Sequence, residues 1–258
     1  MKVQELLSLK GKIALVTGGS RGLGLQIAEA LGEMGAMVVL TSRKQDELSS
    51  AVSHLKTQNV NAKAYVCDIG KREAIAPAID AILKDVGRID ILFNNAGATW
   101  GAPAEDHPLE AWDKLVNVNL TGAFLVSQRV AKHSMIPNQW GRIVNTASVA
   151  GLGASDPRVV RTVAYNATKH GMVGLTRQLA AEWGPYGITV NAICPGFFPS
   201  KMTKGTLDAM GKELAELTPT RRLGGPDDLK GLAVLLASDA SRHITGQAIA
   251  VDGGAILI

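Results

Sequence analysis

The stretch Ile13-Ala-Leu-Val-Thr17-Gly18-Gly19-Ser20-Arg21-Gly22-Leu23-Gly24 carries a short apolar run straight into a glycine-rich turn, and Leu25 to Met34 continues with apolar residues at helical spacing. A run this short, closed by glycines and opening into an amphipathic segment, reads as a buried strand, a tight turn and a helix start. Gly18, Gly22 and Gly24 let backbone amides approach a pyrophosphate, and the helix amino terminus adds partial positive charge. Ser20, Arg21 and Leu23 lie in the same turn. A plain strand-to-helix connection has a similar composition, so the weight of this one comes from its place after the first strand.

Outward from that turn the pattern repeats. Apolar, β-branched runs at Met37 to Thr41, Ala62 to Cys67, Ile89 to Phe93, Gly141 to Thr146, Ile188 to Ile193 and Ala248 to Val251 are separated by helix-like stretches. Such alternation predicts an α/β fold: a doubly wound, mostly parallel, Rossmann-like sheet covered by helices on both faces. No linker, compositional shift or fixed-period repeat divides the 258 residues, so one domain over residues 1–258 is expected. Two stretches are irregular, Gly151 to Val163 and Pro195 to Thr203. Loops beyond the carboxyl ends of parallel strands are where ligands bind.

Composition excludes several classes. With 46% hydrophobic and 19% charged residues the chain buries a full core. The net charge of +4 is scattered without a basic run, which argues against nucleic acid and for a small anionic ligand. Cys67 and Cys194 sit in apolar strand contexts and read as buried thiols, with no metal-ligand spacing. The start MKVQELLSLKGK lacks an apolar signal core and no window is long enough to span a bilayer, so a cytoplasmic protein without membrane attachment is expected.

At the end of the second strand a free ribose 2′-hydroxyl calls for an acid and a 2′-phosphate calls for a base. The sequence there is Thr41-Ser42-Arg43, with no acid in the turn, and Arg21 can converge on the same phosphate. A 2′-phosphorylated dinucleotide is therefore expected over its unphosphorylated counterpart. Elsewhere, Tyr165 and Lys169 are four residues apart on one predicted helix and share a face, after Ser148 at the end of a predicted strand. An ammonium beside a phenol favours phenolate and brings a group that titrates near pH 10 toward acid–base work at neutral pH. Asn94-Asn95-Ala96-Gly97 follows the fourth apolar run and suits a backbone close to a ligand.

Taken in order, Thr17-Gly18-x-x-x-Gly22-x-Gly24, Asn94-Asn95-Ala96-Gly97, Asn119, Ser148, Tyr165-x-x-x-Lys169 and Pro195-Gly196 resemble the short-chain dehydrogenase/reductase family across essentially the whole chain. The resemblance implies a nicotinamide dinucleotide, NADP(H) by preference on the reading of Arg21, Ser42 and Arg43 with NAD(H) also usable, and a small carbonyl or alcohol substrate. It implies that Tyr165 exchanges a proton with the substrate oxygen, that Ser148 hydrogen-bonds that oxygen, and that Lys169 lowers the phenol pKa and meets ribose hydroxyls. Asn119 would position a water of the proton relay, while Asn117 is structural. Cofactor contacts carried over the same way are Asp68 and Ile69 at the adenine, Asn95, Ala96 and Gly97 on the adenosine side, and Pro195, Gly196, Phe198 and Ser200 at the nicotinamide. Asp68 also suits a helix N-cap before Lys71 to Leu83.

Within the family the chain looks most like 3-oxoacyl-thioester reductases, with gluconate 5-dehydrogenase-like members as the alternative, because Phe197 to Thr203 resembles the lid of both. A homotetramer is implied, through the helices carrying Asn119 and Tyr165 and the strand and apolar tail Val251 to Ile258. One departure is the long Ser148 to Tyr165 separation, whose excess Asp156-Pro157-Arg158-Val159-Val160-Arg161 offers arginines to an anionic substrate or to water. Trp100 lines the pocket or packs on that loop. A cofactor-binding scaffold without chemistry predicts a damaged tetrad, whereas all four residues are present. A lyase or isomerase is separated from a reductase by net NADPH consumption.

Overall fold

In the computed structural model, which describes residues 1–257, each apolar run becomes a strand and all seven pair in parallel. Ile258, the last residue of the apolar tail, lies outside the described residues. The strands are β1 (Ile13–Thr17), β2 (Met37–Ser42), β3 (Ala62–Val66), β4 (Ile91–Asn94), β5 (Gly141–Thr146), β6 (Ile188–Pro195) and β7 (Ala248–Val251), in the order β3-β2-β1-β4-β5-β6-β7. The order reverses between β1 and β4, which opens a crevice beyond their carboxyl ends.

Ten helices complete the described chain: α1 (Val3–Leu7), α2 (Gly22–Glu33), α3 (Gln45–Thr57), α4 (Arg72–Val86), α5 (Leu109–Val116), α6 (Gly122–Val130), α7 (Ile136–Asn138), α8 (Val163–Trp183), α9 (Lys204–Leu217) and α10 (Lys230–Ala237). A π turn, Asn117–Thr121, joins α5 to α6. Alternate strand residues face opposite sides, and the core divides accordingly. Ala14, Val16, Val38 and Leu40 pack with Ile27, Leu31, Leu48 and Leu236 from α2, α3 and α10. Leu15, Val39 and Ile143 pack with Ile75, Ile79, Val126 and Leu179 from α4, α6 and α8. Both faces are buried, which is why the strands read as continuous apolar runs rather than alternating ones.

Boundaries shift in ways that matter for the crevice. Helix α2 starts at Gly22 rather than Leu25, so its first amides come from the glycine turn itself. Strand β6 continues to Pro195 because it pairs with β7 through Pro195 and Val251. Helix α4 is N-capped by Lys71, not by Asp68. The Asp68 carboxylate instead accepts the Gly70 amide at 3.0 Å and closes a turn one step earlier.

Candidate active site

The carboxyl ends of β1, β2, β4, β5 and β6 open on one cleft of about 580 Å³. Its floor is the turn after β1. Gly18 has φ +65°, and a Cβ there would stand 2.8 Å from Ala96 Cα, so only glycine lets this turn lie against the Asn95 to Gly97 segment after β4. Asn95 fixes that contact: its side-chain amide donates to the Thr17 and Gly18 carbonyls at 3.2 Å each. Arg21 is the N-cap of α2 without a side-chain cap, and no acid stands in the first turn. Uncapped amides at the mouth of a twelve-residue helix suit an anionic group.

The corner beside β2 is basic but not only basic. Arg21, Ser42, Arg43 and Lys44 line it together with Glu47, which reaches back from the first turn of α3. Arg21 Nη1 and Glu47 Oε1 form an ion pair at 2.7 Å, and the Ser20 hydroxyl donates to Ser42 Oγ at 3.1 Å and to Glu47 Oε2 at 3.4 Å. Half-exposed pairs of this kind contribute about 0.2–1 kcal/mol, so the partners can exchange. Spacing points to Arg21 and Arg43 and misses Glu47, which lies four residues beyond the Thr41-Ser42-Arg43 turn.

At the other end Ser148 caps the short 3-10 turn Val149–Gly151, its Oγ accepting the Ala150 amide at 3.1 Å. The Tyr165 phenol on α8 lines the same end of the cleft as Ser148. One turn along α8, Lys169 donates from Nζ to the Thr146 carbonyl at 2.7 Å, and its Nζ lies 5.4 Å from the Tyr165 ring centre. Only one of its three N–H groups is used here, leaving two for a ligand. The Thr146 hydroxyl on the same wall is buried without a partner.

Electrostatics correct one expectation. Burial raises the Tyr165 phenol above its ordinary value, outweighing the nearby Ser148 hydroxyl, which pulls it down. Desolvation likewise lowers Lys169 to about 8. The ammonium does not turn the phenol acidic, because withdrawal from water penalises both charges at once. Cys194, behind these groups, is pushed up to about 11 by burial despite the Ser148 amide and Lys169 beside it. It is a free, buried thiol, as is Cys67.

Asn119 does not line the cleft. Fully buried within the π turn, it accepts the Ala98 amide at 2.8 Å and donates to the Ala98 carbonyl at 2.9 Å and to Thr168 Oγ1 at 3.1 Å. It thereby pins the loop after β4 to α8. Asn117, by contrast, faces outward and accepts two bonds from Arg72. The remaining expected positions, Gly22, Leu23, Gly24, Asp68, Ile69, Pro195, Gly196, Phe198 and Ser200, all line the cleft.

The Gly196 wall abuts the chain after β7: a Cβ on Gly196 would stand 2.8 Å from Asp252 Cβ. Thr203, not singled out from the sequence, donates to the Phe198 carbonyl at 2.6 Å and shares a hydrogen bond with Ser200 at 3.0 Å, shaping the same wall. Lys114 and Lys201 also line the cleft, without ion-pair partners among the described residues.

The arginines of the long loop do not reach the site. Arg158 folds onto Asp156 at 2.6 Å in water, and Arg161 donates to the Pro157 carbonyl. The loop is held by Asn166, which bonds Ser155 and Thr162, and by the Ala102 amide on the Arg161 carbonyl at 2.9 Å. Trp100, half exposed, lies outside the cleft wall.

A doubly wound parallel sheet with a glycine turn at one end of its crevice and a buried Ser/Tyr/Lys group at the other defines an oxidoreductase acting through a dinucleotide. A family model described as enoyl-(acyl carrier protein) reductase matches residues 18–255. Gluconate 5-dehydrogenase of Gluconobacter oxydans is 40% identical over 256 residues, 98% of each chain. The 3-oxoacyl-[acyl-carrier-protein] reductase of Aquifex aeolicus is 36% identical over 96% of this chain and 98% of its own. The crystal structure of a gluconate 5-dehydrogenase from Burkholderia cenocepacia, in complex with NADP and tartrate, superposes with a TM-score of 0.94 at 36% identity over all of both chains. The chain belongs to the short-chain dehydrogenase/reductase family and is an oxidoreductase of CH–OH and keto groups.

Proposed function

We propose that this chain, acting as one domain over residues 1–258, reduces the keto group of a polyhydroxy acid reversibly with NADP(H). The observation that carries the reading is the single cleft with the Arg21–Arg43 corner at one end and Ser148, Tyr165 and Lys169 at the other. The residues fit a dinucleotide: an uncapped helix mouth for the pyrophosphate, two unused Lys169 donors for ribose hydroxyls, and the orphaned Thr146 hydroxyl. A bound reduced nicotinamide supplies the hydride.

Tyr165 gives its phenolic proton to the substrate oxygen, and its raised pKa keeps that proton in place at neutral pH. Ser148 donates a hydrogen bond to the same oxygen as negative charge grows on it. The Lys169 ammonium faces the phenol and favours the tyrosinate left behind. Asn119 acts through position, holding Ala98 against α8.

The substrate class is supported by the relatives that act on gluconate and by the unpaired Lys114 and Lys201, which suit a carboxylate. A 3-oxoacyl thioester is the second reading, favoured by the Aquifex aeolicus relative. A panel of keto sugar acids, acetoacetyl thioesters and simple diketones, followed by NADPH absorbance, decides between them. Turnover confined to the thioesters refutes the first reading. On the acid substrate Lys201→Met is expected to raise KM about tenfold with kcat nearly unchanged.

A further inference from the structure

No acid stands at the end of β2, yet a carboxylate occupies that corner. Glu47 Oε1 holds Arg21 at 2.7 Å and has Lys44 Nζ at 3.5 Å, and Oε2 takes the Ser20 hydroxyl that also donates to Ser42. Arg43 lines the same corner. The two forms of an adenosine ribose make opposite demands there. Free hydroxyls donate to a carboxylate, whereas a phosphate dianion is repelled by one and drawn to guanidinium, ammonium and hydroxyl groups.

We infer that Glu47 sets cofactor choice. With its carboxylate between Arg21 and Ser20 the corner accepts an unphosphorylated ribose, and a 2′-phosphate enters by taking Arg21, Lys44 and Ser20 from it. The inference rests on the reading that the cleft holds a nicotinamide dinucleotide, and it assigns the residue that weighs one form against the other. Exchange is open to both partners, since the Arg21 side chain is 49% exposed and that of Glu47 is 21% exposed. The native protein therefore binds both forms, with its preference for the phosphorylated one held down by a single carboxylate.

Equilibrium binding of NADPH and NADH, read by nicotinamide fluorescence without substrate, tests this on the native protein, Glu47→Gln and Glu47→Ala. Both variants are expected to shift the ratio of the two Kd values toward NADPH by roughly fivefold or more, the effect of one charge at a half-exposed ion-pair site. Calorimetry with adenosine 2′,5′-bisphosphate and 5′-AMP should give the same shift. A change under about twofold, or a shift toward NADH, overturns the inference. Native protein that binds neither dinucleotide overturns both this and the cofactor reading. Native preference for NADH with the variant shift intact overturns the NADPH preference alone.

Discussion

Lys169 is a cation withdrawn from water, and its proton is linked to the stability of the fold. Its pKa of about 8 lies below the ordinary 10.5, so between those values the unfolded chain holds a proton that the folded chain has released. Stability therefore rises with pH across that window on this account, and the charged ammonium costs the fold most below pH 8, on the order of 3 kcal/mol. Lys169→Met removes that penalty and also the bond to Thr146, which the neutral amine still donates above pH 8. Urea unfolding should show the variant gaining on the native protein by more at pH 7 than at pH 10; an equal difference at both would refute the burial argument. Tyr165→Phe keeps the ring and loses the transferable proton. We expect kcat to fall about 10²–10⁴-fold, with NADPH affinity within about threefold. A kcat within tenfold of native would remove Tyr165 from proton transfer.

The π turn Asn117–Thr121 is the element on which the cleft wall hangs, because it turns Asn119 toward Ala98 rather than toward the ligand. Asn119→Ala leaves a buried amide and a carbonyl unpaired, and is expected to destabilise by about 2–4 kcal/mol. Hydrogen exchange at the Ala98 amide should accelerate well before that of the β-strands, and unchanged protection there would contradict the pinning role. The strands were legible because burial on both faces writes itself as uninterrupted apolar residues, as in Ile13 to Val16 and Met37 to Leu40. The catalytic-end residues were legible because helical periodicity brings Tyr165 and Lys169 to one face. Glu47 was not, since which way a first-turn side chain leans depends on the loop before α3 and on Arg21 across the cleft. Arg158, open in the sequence to either an anionic substrate or water, stays in water for a related reason: its partner Asp156 lies two residues away, and a local ion pair forms without any long-range closure.

At the scale of the molecule the sheet ends on β3 and β7, both only partly buried along their length, and β7 leads to Ile256 and Leu257, the latter 81% exposed. Leu109 on α5 and Val163 at the start of α8 are exposed apolar residues on a second face. Both places coincide with the surfaces through which the family resemblance implied a homotetramer, and that assembly would cover them. Light scattering at micromolar concentration is expected to give about four times the 27.1 kDa chain mass, and a monomer would exclude it. Were the chain to assemble in this way, the closeness of Gly196 to Asp252 would have a chemical consequence. The segment that a neighbouring copy would cover also forms the backing of the nicotinamide-side wall, so subunits drifting apart would slacken the surface against which hydride transfer is aligned. Turnover per subunit should then decline on dilution, with a lag on reconcentration, and protein concentration would act as a regulator of rate.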